Sequence, residues 1–181
     1  MEGLGRLFDL GTGAVPVDLN TADGATGKRV AMSGASGLTI VAFIGAAASG
    51  TDDLTLTVKQ HTAYTGGTTA TAPNDAVTGA YIKDETALDN DESWVELTPA
   101  DGVVTLAGAT YAAVQKLVAI EVDPRKLGSV TDSTYTHVSL DVGVTTAAAQ
   151  LGGVLYILHG LVSGRAPTSL GNLLNPGAAD A

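Results

Sequence analysis

Cysteine is missing from all 181 residues, so neither disulfide stapling nor thiolate ligation of zinc is open to this chain. Aromatics amount to only 4% against a hydrophobic share of 45%, which leaves a core to be built from Val, Leu, Ile and Ala. Basic residues are scarce too, 9 against 19 acids, and the only adjacent pairs are Lys28-Arg29 and Arg125-Lys126. A nucleic-acid binder needs clustered Lys and Arg to displace counterions from phosphates, so no nucleic-acid partner is expected. The net charge of −10 describes a mutually repelling surface instead. No apolar run suits a bilayer, which takes ~20 residues as a helix. Leu38–Ala48 is too short, and Ala147–Val162 is broken by Gln150, Gly152, Gly153, His159 and Gly160 and reads as a buried strand. Met1–Leu10 holds acids and Arg6 and lacks the apolar core of a signal peptide, so no membrane partner is expected either.

What is abundant is turn material. The 23 glycines exceed the usual share of roughly 7%, and many stand beside Ser, Thr or Asp. Between them lie short apolar stretches with strand grammar. Leu38–Ala46 is a continuous apolar run, expected to be buried on both faces or packed under loops. After Ser49-Gly50-Thr51-Asp52-Asp53, Leu54–Gln60 alternates strictly, and the two stretches together predict a hairpin. Tyr81–Lys83, Trp94–Thr98, Val103–Ala107, Leu117–Asp123, Tyr135–Val142 and Gly153–His159 are further strand candidates. Pro99-Ala100-Asp101-Gly102 marks a second hairpin turn, Asp123-Pro124 ends a strand, and Ala109–Lys116 has the spacing of one short helical turn. Seven to nine short strands of this kind predict an all-β fold: an antiparallel β-sandwich, with a jelly roll as one form of it and at most one short helix. The expected organisation is an extended N-terminal arm over residues 1–27, a sandwich over 28–162 and an extended C-terminal arm over 163–181.

Candidate chemistry is thin. His137, Ser139 and Asp141 in "THVSLDV" spell a hydrolase triad, but same-face neighbours on a strand stand ~7 Å apart, too far for proton relay. No G-x-S-x-G elbow surrounds the serine, so a solvated strand face is expected. "DETALDNDESWVE" concentrates acids over 84–96 and places Asp89, Asp91 and Ser93 like the first ligands of a calcium loop. Trp94 and Ala100 then stand where Gly and Glu belong, leaving an acidic solvated loop as the better reading. "DGATGKR" fails as a phosphate loop, with Ala22 in place of the first glycine and Arg29 in place of Ser or Thr. His61, His137 and His159 lack metal spacing, and Trp94 is expected in core or inter-subunit packing rather than as a ligand platform. No catalytic, cofactor or metal residue is assigned, and no enzyme activity is expected.

The order "GLTIVAFIGAAASGTDDLTLTVKQHT", then "ESWVEL", then "YTHVSLDVGVTTAAAQLGGVLYIL" resembles small virion structural proteins of tailed bacteriophages over about residues 28–162. The resemblance implies a β-sandwich decoration, or cement, protein on the outer capsid surface, made in the host cytoplasm and commonly trimeric. Its implied partners are copies of itself and the major capsid protein of the same virion. The arms would then carry apolar anchors: Leu4, Leu7, Phe8 and Leu10 at one end, Leu170, Leu173 and Leu174 at the other. Two other classes compete. A tail-tube or other tail subunit would share the β-rich, non-catalytic composition, and a virion-surface carbohydrate-binding module would use exposed aromatics such as Tyr64, Tyr81, Trp94 and Tyr135.

Overall fold

The computed structural model describes residues 3–21, 26–48, 52–85, 91–128, 134–144 and 149–162. Among them eleven strands build two antiparallel sheets: β1 (Phe8–Asp18), β2 (Val30–Ala31), β3 (Gly37–Ile44), β4 (Leu54–His61), β5 (Thr69–Thr71), β6 (Val77–Glu85), β7 (Val95–Leu97), β8 (Val103–Leu106), β9 (Gln115–Val122), β10 (His137–Val144) and β11 (Leu151–His159). The larger sheet runs β1-β11-β3-β9-β6-β7, and the smaller runs β2-β10-β4-β5, with β8 beside β5 on the free side of β4. The expected all-β sandwich is therefore the fold, with one α-helical turn at Gly108–Tyr111 and two 3-10 turns, Asn74–Ala76 and Pro124–Lys126, among the described residues.

Period-two patterning decides what faces inward. Leu38, Ile40, Ala42 and Ile44 of β3 meet Leu54, Leu56 and Val58 of β4 and Val138, Leu140 and Val142 of β10 in one buried cluster. That core is aliphatic apart from Tyr156, as the shortage of aromatics requires. Tyr156 also ties the layers together. Its hydroxyl, rooted in the larger sheet, donates to the Lys28 carbonyl at 2.8 Å and accepts from the Leu140 amide of the smaller sheet at 2.9 Å. Burial pushes the phenol pKa up, so it stays a neutral donor.

Three expectations need correcting. The predicted hairpin over 38–60 does not exist: β3 pairs with β11 and β9 in the larger sheet, while β4 pairs with β10, β5 and β8 in the smaller. The chain crosses between layers there, and local alternation cannot tell such a corner from a hairpin, because both need one apolar face. Likewise, Asp101 and Gly102 have positive φ (49° and 73°) in a two-residue turn closed by Ala100 and Val103. The strands it joins then part, β7 to the larger sheet and β8 to the smaller.

The third correction concerns the N-terminal stretch, which is no extended arm over its described length. Gly3–Phe8 curls on itself, with the amides of Arg6, Leu7 and Phe8 all donating to the Gly3 carbonyl. Phe8–Asp18 then pairs along the whole of β11, and Leu19 is fully buried. Gly11, Gly13 and Pro16, with register shifts on either side of Ala14, erase the alternation that would have announced this strand. The proposed C-terminal arm, including Leu170, Leu173 and Leu174, lies outside the described residues.

Candidate functional site

The two sheets turn very different surfaces outward. On the smaller sheet, β4 presents Thr55, Thr57, Lys59 and His61, and β10 presents His137, Ser139 and Asp141 beside them. Here the expected solvated face is wrong in its centre, since Ser139 is 1% exposed and His61 4%. Cross-strand geometry explains the difference. His61 Nε2 lies 2.8 Å from Ser139 Oγ on the neighbouring strand, and its Nδ1 lies 2.9 Å from Thr69 Oγ1. Arg29 closes the network from outside, donating to the carbonyls of Ala63 and Gly66 at 2.7 Å each.

Burial lowers the His61 pKa to about 4, helped by the charges of Arg29, His137 and Lys59, so the imidazole is neutral at physiological pH. Asp141 is raised by burial, against the opposing pull of the Gly27 amide, Lys59, the Ser139 hydroxyl and Arg29. A serine bonded to a neutral histidine has the first two parts of a nucleophile and its base. The third is misplaced, because the second imidazole nitrogen faces a threonine hydroxyl rather than a carboxylate. With its oxygen closed off from solvent, Ser139 is also out of a substrate's reach. The arrangement stiffens β4 against β10.

A second buried group lies between the layers' ends. Lys116 is 1% exposed, and its Nζ donates to the carbonyls of Tyr111 (2.7 Å), Val114 (2.9 Å) and Gly45 (3.4 Å). Burial lowers its pKa to about 8, against the pull of Asp84. It satisfies backbone acceptors at a corner where no ladder reaches them. Within the acidic stretch, residues 86–90 lie outside the described residues. Among the described residues no group of three or more His, Asp or Glu is placed to hold a metal ion. No helix of the described chain is long and apolar enough to cross a membrane.

The larger sheet's outer face is where the chain departs from ordinary surface chemistry. Thr12, Leu155, Val41, Ala119, Tyr81 and Glu96 stand side by side across all six strands. The next row brings Phe43, Leu117 and Lys83 beside Gly153. Leu10, Phe43, Tyr81, Trp94, Leu151 and Leu155 are all exposed, Phe43 by 51% and Leu151 by 66%. Leu38–Ala46 was expected to be buried on both faces or packed under loops; its inward residues are buried, while on the other side Thr39, Val41 and Gly45 are half-buried and Phe43 and Ala46 are exposed. Trp94, expected in the core or in inter-subunit packing, is not in the core: it is exposed, with Lys83 Nζ 5.8 Å from the centre of its ring. Between β1, β11 and β3 the face sinks into a trough of about 500 Å³, walled by Pro16, Phe43, Leu151 and Leu155. Gly153 lines it as well, and a Cβ added there would lie 3.4 Å from the Ala14 carbonyl oxygen and 3.6 Å from the Pro16 ring.

The N-terminal anchors lie next to this face. Leu7 and Leu10 are exposed, while Leu4 and Phe8 are half-buried, bridged to each other in the opening curl. The signal that sequence reading misassigned was the doubly apolar strand, which marks either complete burial or a face kept for something else. No protein-family model matches the chain, and comparison with curated proteins and with solved structures found no match.

Proposed function

We propose that this chain is a non-enzymatic structural protein of a tailed-phage virion that decorates and stabilises the outer capsid surface, bound as an oligomer where capsomers meet. The observation that carries the reading is the outer face of the larger sheet, where Leu155, Val41, Ala119 and Tyr81 stand side by side with Phe43, Leu151 and Trp94 exposed near them, bordered by the hydrogen-bonded pair of Thr39 and Glu121 and by Lys83 and Glu96. Soluble monomers rarely leave a contiguous apolar face of this breadth open, because its hydration is costly and it invites association. An adhesive protein uses such a face: many equivalent contacts of modest strength around a symmetric shell add through avidity.

The strand order supports the same reading. Setting aside β5, β6 and β7 as an insertion, the remaining eight strands in chain order lie 1-8-3-6 over 2-7-4-5. We read this as a jelly roll, an architecture that viral coat domains share with lectins and cupins. Fold alone does not choose among those uses; the apolar face and the resemblance to phage virion proteins favour the shell.

The test is direct. Purified chain should sediment as a discrete small oligomer and bind shells that lack it. A double Tyr81→Ser, Trp94→Ser variant should bind at least ~30-fold more weakly, the loss expected when central aromatic contacts are removed. Open-ended rings or tubes would point to a tail subunit, and selective capture on a glycan array to a carbohydrate-binding module. Either result, or undiminished shell binding by the double variant, would overturn the proposal.

A further inference from the structure

The outer face of the larger sheet is hollow at one end and aromatic at the other. At the β1–β11–β3 end lies the trough, beside Gly153 and between Pro16, Phe43, Leu151 and Leu155, with no charged side chain in its lining. At the β6–β7 end Tyr81 and Trp94 are exposed. The strand register fixes the height of each feature. Tyr81 stands in the row of Leu155, separated from it by Val41 and Ala119. The next row holds Gly153, Phe43, Leu117 and Lys83, and the pairing of Ile82 with Val95 sets Trp94 at its far end. Hollow and aromatics therefore share two rows and occupy opposite ends of them.

Two copies can lay such faces together, strands aligned, about either of two axes. A two-fold axis across the strands sets β1 on β1, so the troughs face each other unfilled and Trp94 meets Trp94. An axis along the strands, between β3 and β9, exchanges the ends and keeps the rows. Tyr81 of one copy then lies over Leu155 of the other, Trp94 over the trough beside Gly153 and Pro16, and Ala119 over Val41. Interface cores pack as densely as protein interiors, which favours the arrangement that fills the hollows. We propose that this face is the interface of a two-fold dimer in which Tyr81 and Trp94 of each copy occupy the trough of the other. The size suffices. Six strands span ~29 Å and three rows ~20 Å, so ~600 Å² per copy and ~1,200 Å² in all are covered, above the ~1,000 Å² that a specific interface needs. Lys83 travels with the indole, and a lysine can lie along an apolar wall while its ammonium stays in water. Thr39 and Glu121, bonded to each other at 2.9 Å, lie one row beyond, at a polar rim. The inference goes beyond the shell reading, since it names what covers the face in the free protein; a shell that takes this face displaces the second copy.

The test uses the full chain in the absence of shells. The free protein should sediment as a dimer at micromolar concentration. Gly153→Leu fills the trough from its own side, at a position where an added Cβ meets only ordinary contacts, so the fold is kept. It and Trp94→Ala should each raise the dissociation constant at least ~30-fold, the loss expected of a central contact. Unchanged association in both variants would overturn the proposal. Orientation is read by linking, which the lack of native cysteine makes simple. In the proposed pair Thr12 of one copy lies over Glu96 of the other, while the two Thr12 positions are five strand spacings, or ~24 Å, apart. Thr12→Cys and Glu96→Cys proteins, treated with a bis-maleimide that spans ~10 Å, the spacing of packed sheets, should link when mixed and stay unlinked alone. Self-linking of the Thr12→Cys protein would put β1 on β1 and overturn the pairing. A monomer at the highest soluble concentration would overturn it by leaving the face to another kind of partner, and a trimer or open ring would overturn it by breaking the two-fold. Each of these outcomes leaves the shell reading to its own binding test.

Discussion

The outer faces of the two sheets follow the same alternation and reach opposite ends. On the smaller sheet, every outward side chain along β4 is polar, and the two that became buried, His61 and Ser139, found each other at 2.8 Å. On the larger sheet, the outward positions of β3 and β11 are mostly aliphatic or aromatic, and Phe43, Leu151 and Leu155 have no cover among the described residues. A polar face completes its own hydrogen bonds and asks nothing of a partner. An apolar face cannot complete itself, since the only way to remove its surface from water is to bring something against it. The first face belongs to the fold and the second to whatever the fold meets.

The sharpest way to break that division is at the edge where the two roles touch. β1 contributes Leu10 to the apolar face, yet it also pairs residue by residue with β11 from Phe8 to Asp18. If β1 were an arm serving only a partner, deleting residues 1–12 would leave the block intact. The pairing predicts otherwise. Removing Phe8–Thr12 strips the ladder from Leu155–His159, and at about 1 kcal/mol for each lost hydrogen bond and its packing the loss should reach roughly 3–5 kcal/mol. Urea unfolding of the truncated chain measures this, and stability within ~1 kcal/mol of the intact protein would restore the arm.

The polar face gives the second test. The folded pKa of His61 is about 4 against an ordinary 6.5, so below pH 6.5 the unfolded chain takes up a proton that the native imidazole refuses. Stability therefore falls as pH drops from 6.5 toward 4. Allowing for screening by nearby solvent, the loss is roughly 2 kcal/mol. The raised Asp141 carboxyl acts in the opposite sense: above its ordinary pKa the native state still holds a proton that the unfolded chain has lost. Comparing wild type with His61→Gln isolates the histidine. Denaturation at pH 7 and pH 4.5 should show the variant losing less than the wild type, and equal losses would mean the ring is not held neutral by its surroundings.

Much of this architecture could be read from residues. Leu54, Leu56 and Val58 against Thr55, Thr57 and Lys59 announced β4 and its orientation, and Asp101-Gly102 announced its turn. The partners of these strands could not be read, because an inward face is compatible with either layer and only packing of the whole chain assigns one. β1 was hidden by its bulges and its glycines. The cross-strand pair of His61 and Ser139 was invisible for a related reason. They are 78 residues apart, and nothing in "THVSLDV" names the strand that will lie beside it. The apolar face was present in the sequence all along, in Val41, Phe43, Leu151 and Leu155, but a strand apolar on both sides looks the same whether its second face is buried by its own chain or left for another.

The smallest expected effect sharpens the comparison most, because it separates folding from adhesion. Tyr81 and Trp94 are large aromatics on the outer face, and a reading that equated apolar with core would assign each several kcal/mol. Both retain much of their exposure in the folded chain, so the native state gains little by holding them. The Tyr81→Ser, Trp94→Ser protein should unfold within about 1 kcal/mol of the wild type, mainly through lost cross-strand contact and the Lys83 contact with the indole. Its affinity for shells or for its own copies should nevertheless fall by more than an order of magnitude. A loss of several kcal/mol in the isolated chain would instead make these residues part of the fold, and the distinction between the two faces would no longer hold.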